Sequence, residues 1–434
     1  MDVRLGRKSC ERRQNTALSC FLVSYIPLAG SAFGHNFTRR SRAQLAALRA
    51  LTRMASSSFT ALPDDVLQRV LVGVLLDDHP ATAAACRAFR DVIRGPRFHR
   101  LRREYGFAER GIILVGCTHF HEHPFSGTGP MGIHIAGKHR TFVNQPVLAI
   151  IPSSERDYLS VDLCGSTTDG GARLFLTMQH PGPKSMSLAF PELASRTVFA
   201  VDGTTRRWSR FATLPLDHRS HCLEWHNGLL YVAGGLGCVG NKPNCCLNTL
   251  HSFNETTGLW EDLPPMPHAC SLAASGVIGN ELFVAGGRGV SYEDLSTLQI
   301  YDFTTRAWRL GAPLPYRRCG ARGIVVDGKL YLVSTKLSHY EGYQGQSSTM
   351  RYDVQSNTWS QLLDPGIGRR DHGAMHAFAH EGRIVAVDSS GNAKYRGTGT
   401  DPTNDVFWPP DWRDFDLNMA RPIIHGVAGS VLLG

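Results

Sequence analysis

Five of the seven tryptophans fall in a single phase. Trp208, Trp260, Trp308, Trp359 and Trp412 stand 52, 48, 51 and 53 residues apart. A fixed period near fifty means one supersecondary unit repeated in space, not a single irregular core. Six residues before four of these tryptophans stand Asp202, Asn254, Asp302 and Asp353, in stretches such as Tyr301-Asp-Phe-Thr-Thr-Arg-Ala-Trp308, which read as strand, tight turn, strand. Upstream, each unit offers a two-residue turn before an apolar run: Asn227-Gly228, Gly279-Asn280, Asp327-Gly328 and Glu381-Gly382. Such pairs supply the positive φ that two-residue hairpins need. The pattern predicts four short strands per unit. A lone unit of that kind leaves a sheet face wet, so successive units must pack around a centre.

Two of the runs end in doubled glycine, Leu229-Leu-Tyr-Val-Ala-Gly-Gly235 and Glu281-Leu-Phe-Val-Ala-Gly-Gly287. With the phased tryptophans, they resemble kelch motifs over about 155–420. The doublet gives way to Ser334-Thr335 in the unit near 330 and is lost near 385, so those blades are expected to be irregular. Five units are countable. Kelch propellers commonly close with six blades, and the missing strands are expected from Gly111-Ile-Ile-Leu-Val115 together with His425-Gly-Val-Ala-Gly-Ser-Val-Leu-Leu433, which would remove exposed sheet edges.

Polar residues recur at about one phase ahead of each unit's first strand: His218, Arg219 and His221; His268; Arg317 and Arg318; Arg369, Arg370 and His372. The kelch resemblance puts this phase near loops that line one mouth of the channel. It implies a partly basic rim that binds a protein substrate, with arginines clamping acidic side chains bidentately. The plainer reading has them bridging neighbouring blades.

Ahead of the array the period changes. In Leu62-Pro63-Asp64-Asp65-Val66-Leu67, proline takes the first helical position and two carboxylates sit at the helix amino terminus. Val66, Leu67, Val70, Leu71, Val74 and Leu75 then form one apolar stripe. Pro80 opens an alanine-rich helix, Gly95-Pro96 closes the segment through Ile93, and a last short helix carries Phe98 and Leu101. About 45 residues lie near the lower limit of independent stability, which argues for a partner. The segment 59–104 resembles an F-box, with Phe89 where that family usually has tryptophan. The resemblance implies docking on a Skp-type adaptor, and through it on a cullin, by Leu62, Pro63, Val66, Leu67 and Leu71, with Cys86, Phe89, Val92 and Ile93 shared between core and interface. The alternative is a three-helix unit whose stripe is consumed internally.

The net charge of +9 is not a nucleic-acid signature of the folded body. Residues 1–53 hold ten Lys or Arg against Asp2 and Glu11, and the remaining 36 basic and 35 acidic residues nearly cancel. Residues 1–58 read as a basic extension, either disordered or upstream of a working start at Met54. Its composition also suits a secretory or organelle-targeting segment. The apolar run Ala17–Phe33 is broken by Ser19, Ser24 and Pro27 and falls short of a membrane span. Eleven cysteines, an odd number without a CxxC, suit a reducing compartment, cytoplasmic or nuclear. The sequons at Asn36 and Asn254 would matter only in a secreted chain.

Catalytic signals are weak. His119, His121 and His123 would share one face of a strand, but lack a carboxylate or cysteine partner at a telling spacing. Gly132-Ile-His-Ile-Ala-Gly-Lys-His139 resembles a phosphate loop with His139 where Ser or Thr should bind magnesium. Kelch folds include copper oxidases and iron-dependent specifier proteins; the Glu-x-x-x-Asp-x-x-x-His motif of the latter is absent. The expectation is therefore a mainly β chain: a six-bladed kelch β-propeller over 111–434 preceded by a small all-α F-box domain. As the resemblance implies, it would be a cofactor-free, non-catalytic substrate receptor of an SCF-type ubiquitin ligase. A kelch interaction scaffold and a metallo-oxidase are the alternatives.

Overall fold

The computed structural model describes residues 64–74, 79–85, 87–107, 109–117, 131–136, 142–146, 166–168, 173–177, 197–203, 207–216, 219–239, 242–333, 349–363, 365, 376–388, 392–397, 412–415 and 425–433. The chain divides into two units, one ending at Phe107 and one beginning at Ala108.

Among the described residues the first unit holds four short helices: α1 (Asp64–Leu71), α2 (His79–Ala85), α3 (Arg87–Arg94) and α4 (Pro96–Glu104). Pro96 opens α4 behind the extended Gly95, where a missing N–H costs nothing. The core is one cluster of Leu67, Leu71, Val72, Val74, Phe89, Val92, Ile93 and Phe98. Beneath it lies Arg102, 1% exposed. Its Nη1 donates to the carbonyls of Val72 (2.8 Å) and Val74, and its Nη2 donates to that of Phe107 (2.7 Å). One guanidinium thus satisfies the backbone where α1 unwinds and where α4 ends.

The packing uses much of the expected docking stripe. Leu67 and Leu71, and Phe89, Val92 and Ile93 of the set expected to be shared with the core, are all buried in the unit's own core. Helices of seven to nine residues carry one apolar face each, and closing even a small core uses that face up. Leu62, Pro63, Cys86 and the side chain of Val66 lie outside the described residues.

Among the described residues the regular structure of the second unit is all β. Its strands are β1 (Glu109–Cys117), β2 (Met131–Ala136), β3 (Phe142–Pro146), β4 (Ser166–Thr168), β5 (Arg173–Thr177), β6 (Thr197–Asp202) and β7 (Arg207–Thr213). There follow β8 (Cys222–His226), β9 (Leu229–Ala233), β10 (Leu236–Val239), β11 (Lys242–Cys246), β12 (Leu250–Asn254), β13 (Leu259–Leu263), β14 (Ala274–Ile278), β15 (Glu281–Ala285), β16 (Leu298–Asp302) and β17 (Ala307–Leu310). The last are β18 (Arg322–Val326), β19 (Lys329–Val333), β20 (Thr349–Asp353), β21 (Thr358–Leu362), β22 (His376–His380), β23 (Arg383–Val387), β24 (Ala393–Gly397), β25 (Arg413–Phe415) and β26 (His425–Leu433).

Five four-stranded antiparallel sheets are each drawn from one stretch of chain: β4–β7; β8, β9, β12 and β13; β14–β17; β18–β21; and β22–β25. A further four-stranded sheet is composite, in the order β26-β1-β2-β3, with Ile112 opposite Ser430 and Ile113 opposite Gly429. The strands expected to close the array are those that pair. Each sheet's inner edge strand touches the next, β26 to β4, β8, β14, β18, β22 and back to β26, so the ring is complete.

The tryptophan period has a direct cause. On three outer strands the ring lies opposite an aromatic of its own blade: Trp260 on Phe253, Trp308 on Tyr301, Trp359 on Tyr352, with centroids 5.1, 5.1 and 5.0 Å apart. Its indole N–H reaches the preceding blade: Trp260 donates to Thr213 O at 2.7 Å, and Trp308 to Pro264 O, Trp359 to Ala312 O and Trp412 to Leu363 O at 2.8 Å. These half-buried rings are staples between blades. Before them, the side chains of Asn254, Asp302 and Asp353 each accept two backbone N–H bonds of the tight turn.

Candidate interaction surface of the propeller

In an antiparallel meander the link from second to third strand and the link to the next blade leave by the same end. Segments 214–216, 219–221, 264–273 and 311–321 therefore meet segments 234–239, 242–249 and 286–297 at one mouth of the ring. The doubled glycines lock these sets together. Gly235 N–H donates to Cys270 O at 2.8 Å and Gly287 N–H to Arg318 O at 2.7 Å, in each case tying one blade to the segment leading into the next. At φ of +99° and +96° only glycine fits readily: a Cβ would stand 2.6 Å from the carbonyl oxygens of Arg219 and Ser271 respectively. Where the doublet is missing near 385, Asp388 closes a short loop instead, accepting from Asn392 N at 2.8 Å and Nδ2 at 2.9 Å.

A second backbone chain runs across the blades. Leu272 N–H donates to Ser220 O at 2.9 Å and Gly320 N–H to Leu272 O at 2.8 Å. Ser220, Leu272 and Gly320 hold φ of +52°, +53° and +70°, so two non-glycine residues are kept in the left-handed region by this frame.

On this frame the sequence-derived rim residues divide. His268 and Arg317 are exposed and Arg219 is half-buried. Arg219 exchanges both backbone hydrogen bonds with Leu236. His221 and Arg318, 4% and 7% exposed, are inside the wall and do not form part of the rim surface. His221 meets Thr177 Oγ1 at 3.2 Å, a contact between blades. One residue's shift in phase turns a strand side chain from surface to interior, which a phase accurate only to a few residues does not resolve. His218, Arg369, Arg370 and His372 lie outside the described residues.

The sequence reading missed the apolar part of this end. Leu216, Val239, Val290, Tyr292 and Tyr316 are exposed, Val290 by 66% and Tyr292 by 59%. Val239 lies on the hairpin β10–β11, inserted between the second and third strands of its blade and anchored by Cys246 Sγ against the carbonyls of Arg288 (3.4 Å) and Gly289 (3.2 Å). The longer spacing from Gly235 to Leu250 than from Gly287 to Leu298 was the available signal.

Within the ring, Glu224 on β8 spans three inner strands. Ser275 Oγ of β14 donates to Oε1 at 2.6 Å and Thr167 Oγ1 of β4 to Oε2 at 3.5 Å. Burial pushes its carboxyl up to about 7, partly offset by these two donors. Burial also pushes the thiols of Cys222 and Cys319 up, to about 12 and about 11, so both stay protonated and poorly nucleophilic at neutral pH. Among the described residues no three His, Cys, Asp or Glu side chains are grouped to hold a metal ion; His119, His121 and His123 lie outside them, as do Lys138 and His139 of the expected phosphate loop.

The Kelch motif matches residues 219–267 and 269–315, the two blades that carry the glycine doublets. Residues 219–315 carry two kelch repeats. The blades of this chain resemble those of Kelch-like protein 34 of Homo sapiens, 26% identical over 42% of this chain and 31% of that protein. Kelch repeat and BTB domain-containing protein 12 of Danio rerio is 28% identical over 36% of this chain and 27% of that protein. Kelch-like protein 40 of Xenopus tropicalis is 30% identical over 38% and 27%. The chain thus spans under a third of the length of these curated relatives.

Proposed function

We propose that the propeller is a protein-binding platform whose partner docks on the mouth framed by the doubled glycines. The observation that carries this reading is the coincidence, at one end, of a backbone frame that holds strained residues in place with exposed Val290, Tyr292, Tyr316 and Arg317. Tyrosine and arginine on rigid loops are the side chains that dominate protein interfaces. At finer grain, the chain is a substrate receptor of an SCF-type ubiquitin ligase, its helical unit meeting a Skp-type adaptor and its propeller the protein to be ubiquitinated. That role needs affinity and proximity, and no catalytic residue of the chain's own.

One observation favours the second reading, a kelch scaffold without ubiquitin transfer: Leu67, Leu71, Phe89, Val92 and Ile93 are already consumed in the helical core. Co-purification separates the two. Recovery of a Skp-type adaptor with the full chain, lost on deletion of 59–104, supports the receptor; recovery of propeller partners without any adaptor supports the scaffold. In either case Tyr292→Ala with Arg317→Ala should release the propeller partner while the fold stays intact, and undiminished capture by that variant sinks the docking surface.

A further inference from the structure

The helical unit carries a feature that neither reading uses. Its described residues include eight arginines and no lysine, and seven of the eight are exposed. They are ordered on α3 and α4. Arg87, Arg90 and Arg94 share the solvent face of α3 opposite Phe89, Val92 and Ile93; Arg97, Arg100 and Arg103 share that of α4 opposite Phe98 and Arg102. Each row runs for about 9–10 Å at 1.5 Å per residue.

Local preference explains only part of these rows. Neither helix has an acid in its first turn, and Arg87 and Arg97 put cations where the helix dipole disfavours them, while Arg94 and Arg103 stand in last turns, where it favours them. Arg90 and Arg94 are like charges one turn apart. A solvated face would gain from acids in the two first turns, so the cations there point to a partner. Its chemistry follows from the rest of the surface. Asp91 and Glu104 interrupt the rows, which a uniformly charged phosphate backbone would meet as repulsion but a protein of mixed charge need not. Tyr105 and Phe107 are exposed just beyond α4, offering apolar anchors.

We infer that the α3 and α4 arginine rows are a docking surface for an acidic, amphipathic protein segment. The inference is independent of the adaptor reading. The test is fluorescence anisotropy of a labelled amphipathic Glu/Leu peptide with the full chain, against Arg87→Glu/Arg94→Glu/Arg97→Glu/Arg100→Glu. All four side chains are exposed, and a matching Arg→Gln set checked by thermal unfolding guards against misfolding. The expected result is binding that weakens with salt, by about tenfold or more on reversal and by less on neutralisation. Unchanged affinity on reversal, with loss on Arg39→Glu/Arg40→Glu/Arg42→Glu, would assign the binding to the basic extension and overturn the inference. So would a DNA duplex that binds more tightly than the peptide through the same four arginines.

Discussion

Trp308 of one blade donates its indole N–H to the carbonyl of Pro264 in the blade before it, at 2.8 Å, while its ring rests on Tyr301 of its own sheet. The tryptophan therefore belongs to two blades. Trp308→Phe keeps the ring contact and loses the hydrogen bond, and should cost about 1 kcal/mol. Trp308→Ala loses both and should cost more, about 2–4 kcal/mol, with the half-exposed site below the range for a full core aromatic. Urea unfolding of the two variants checks the order; a Trp308→Phe protein as stable as the wild type would mean that the bond between blades contributes nothing, and equal losses that the ring contact does not.

Gly287 provides a sharper comparison. With φ of +96° and the Ser271 carbonyl 2.6 Å from any Cβ, Gly287→Ala must move the backbone frame of the mouth. Gly228 also has positive φ, +81°, but open space around it. Gly228→Ala should cost only about 1 kcal/mol for the left-handed conformation, and Gly287→Ala distinctly more. Thermal unfolding compares them directly, and a Gly287→Ala protein as stable as Gly228→Ala would show that the close approach is not needed.

The ring was legible in the sequence because its determinants are local and periodic. Trp260, Trp308 and Trp359 each face an aromatic fixed by strand register, and the Asn227-Gly228 and Asp327-Gly328 turns hold the positive φ expected of them, +47° and +81°, +50° and +67°. The closing strands were findable because 111–115 and 425–433 are apolar runs outside the five countable units, and they pair. The surface was less legible. His221 and Arg318 share a phase with exposed residues, but whether a polar side chain faces solvent or a neighbouring blade depends on contacts between residues some fifty positions apart. The helical stripe was legible only in part for a related reason: periodicity identifies an apolar face and does not say whether the chain itself or a partner covers Leu67 and Ile93.

Arg102 is the polar centre of the helical unit. Its guanidinium donates to Val72, Val74 and Phe107, so Arg102→Ala leaves two buried carbonyls and a partly buried one short of a donor and opens a cavity, at about 3–5 kcal/mol. Arg102→Lys should rescue little, because one ammonium cannot span both ends of the arrangement. Hydrogen exchange should show loss of protection confined to 64–107, leaving the tryptophan-stapled sheets protected. Uniform protection in both units of Arg102→Ala would refute the assignment.

Glu224 makes the propeller's stability depend on pH in a direction opposite to most carboxylates. Its folded pKa is raised from 4.5 to about 7, so between those values the native state binds more protons than the unfolded one. The group's contribution is complete below about pH 4.5, falls as pH rises, and is lost above about 7, where a charge must be held between β4, β8 and β14. The full swing is about 3 kcal/mol at most, at 1.36 kcal/mol per pKa unit. Glu224→Gln keeps an acceptor oxygen for Ser275 and turns an N–H donor towards the Thr167 hydroxyl, which can accept, without the charge. It should flatten the dependence and exceed the wild type in stability above neutral pH, while matching it in mild acid. Denaturant midpoints across this range check the sign, and a Glu224→Gln protein that is less stable than wild type at alkaline pH would show that the carboxylate is favourably solvated there and not squeezed between the blades.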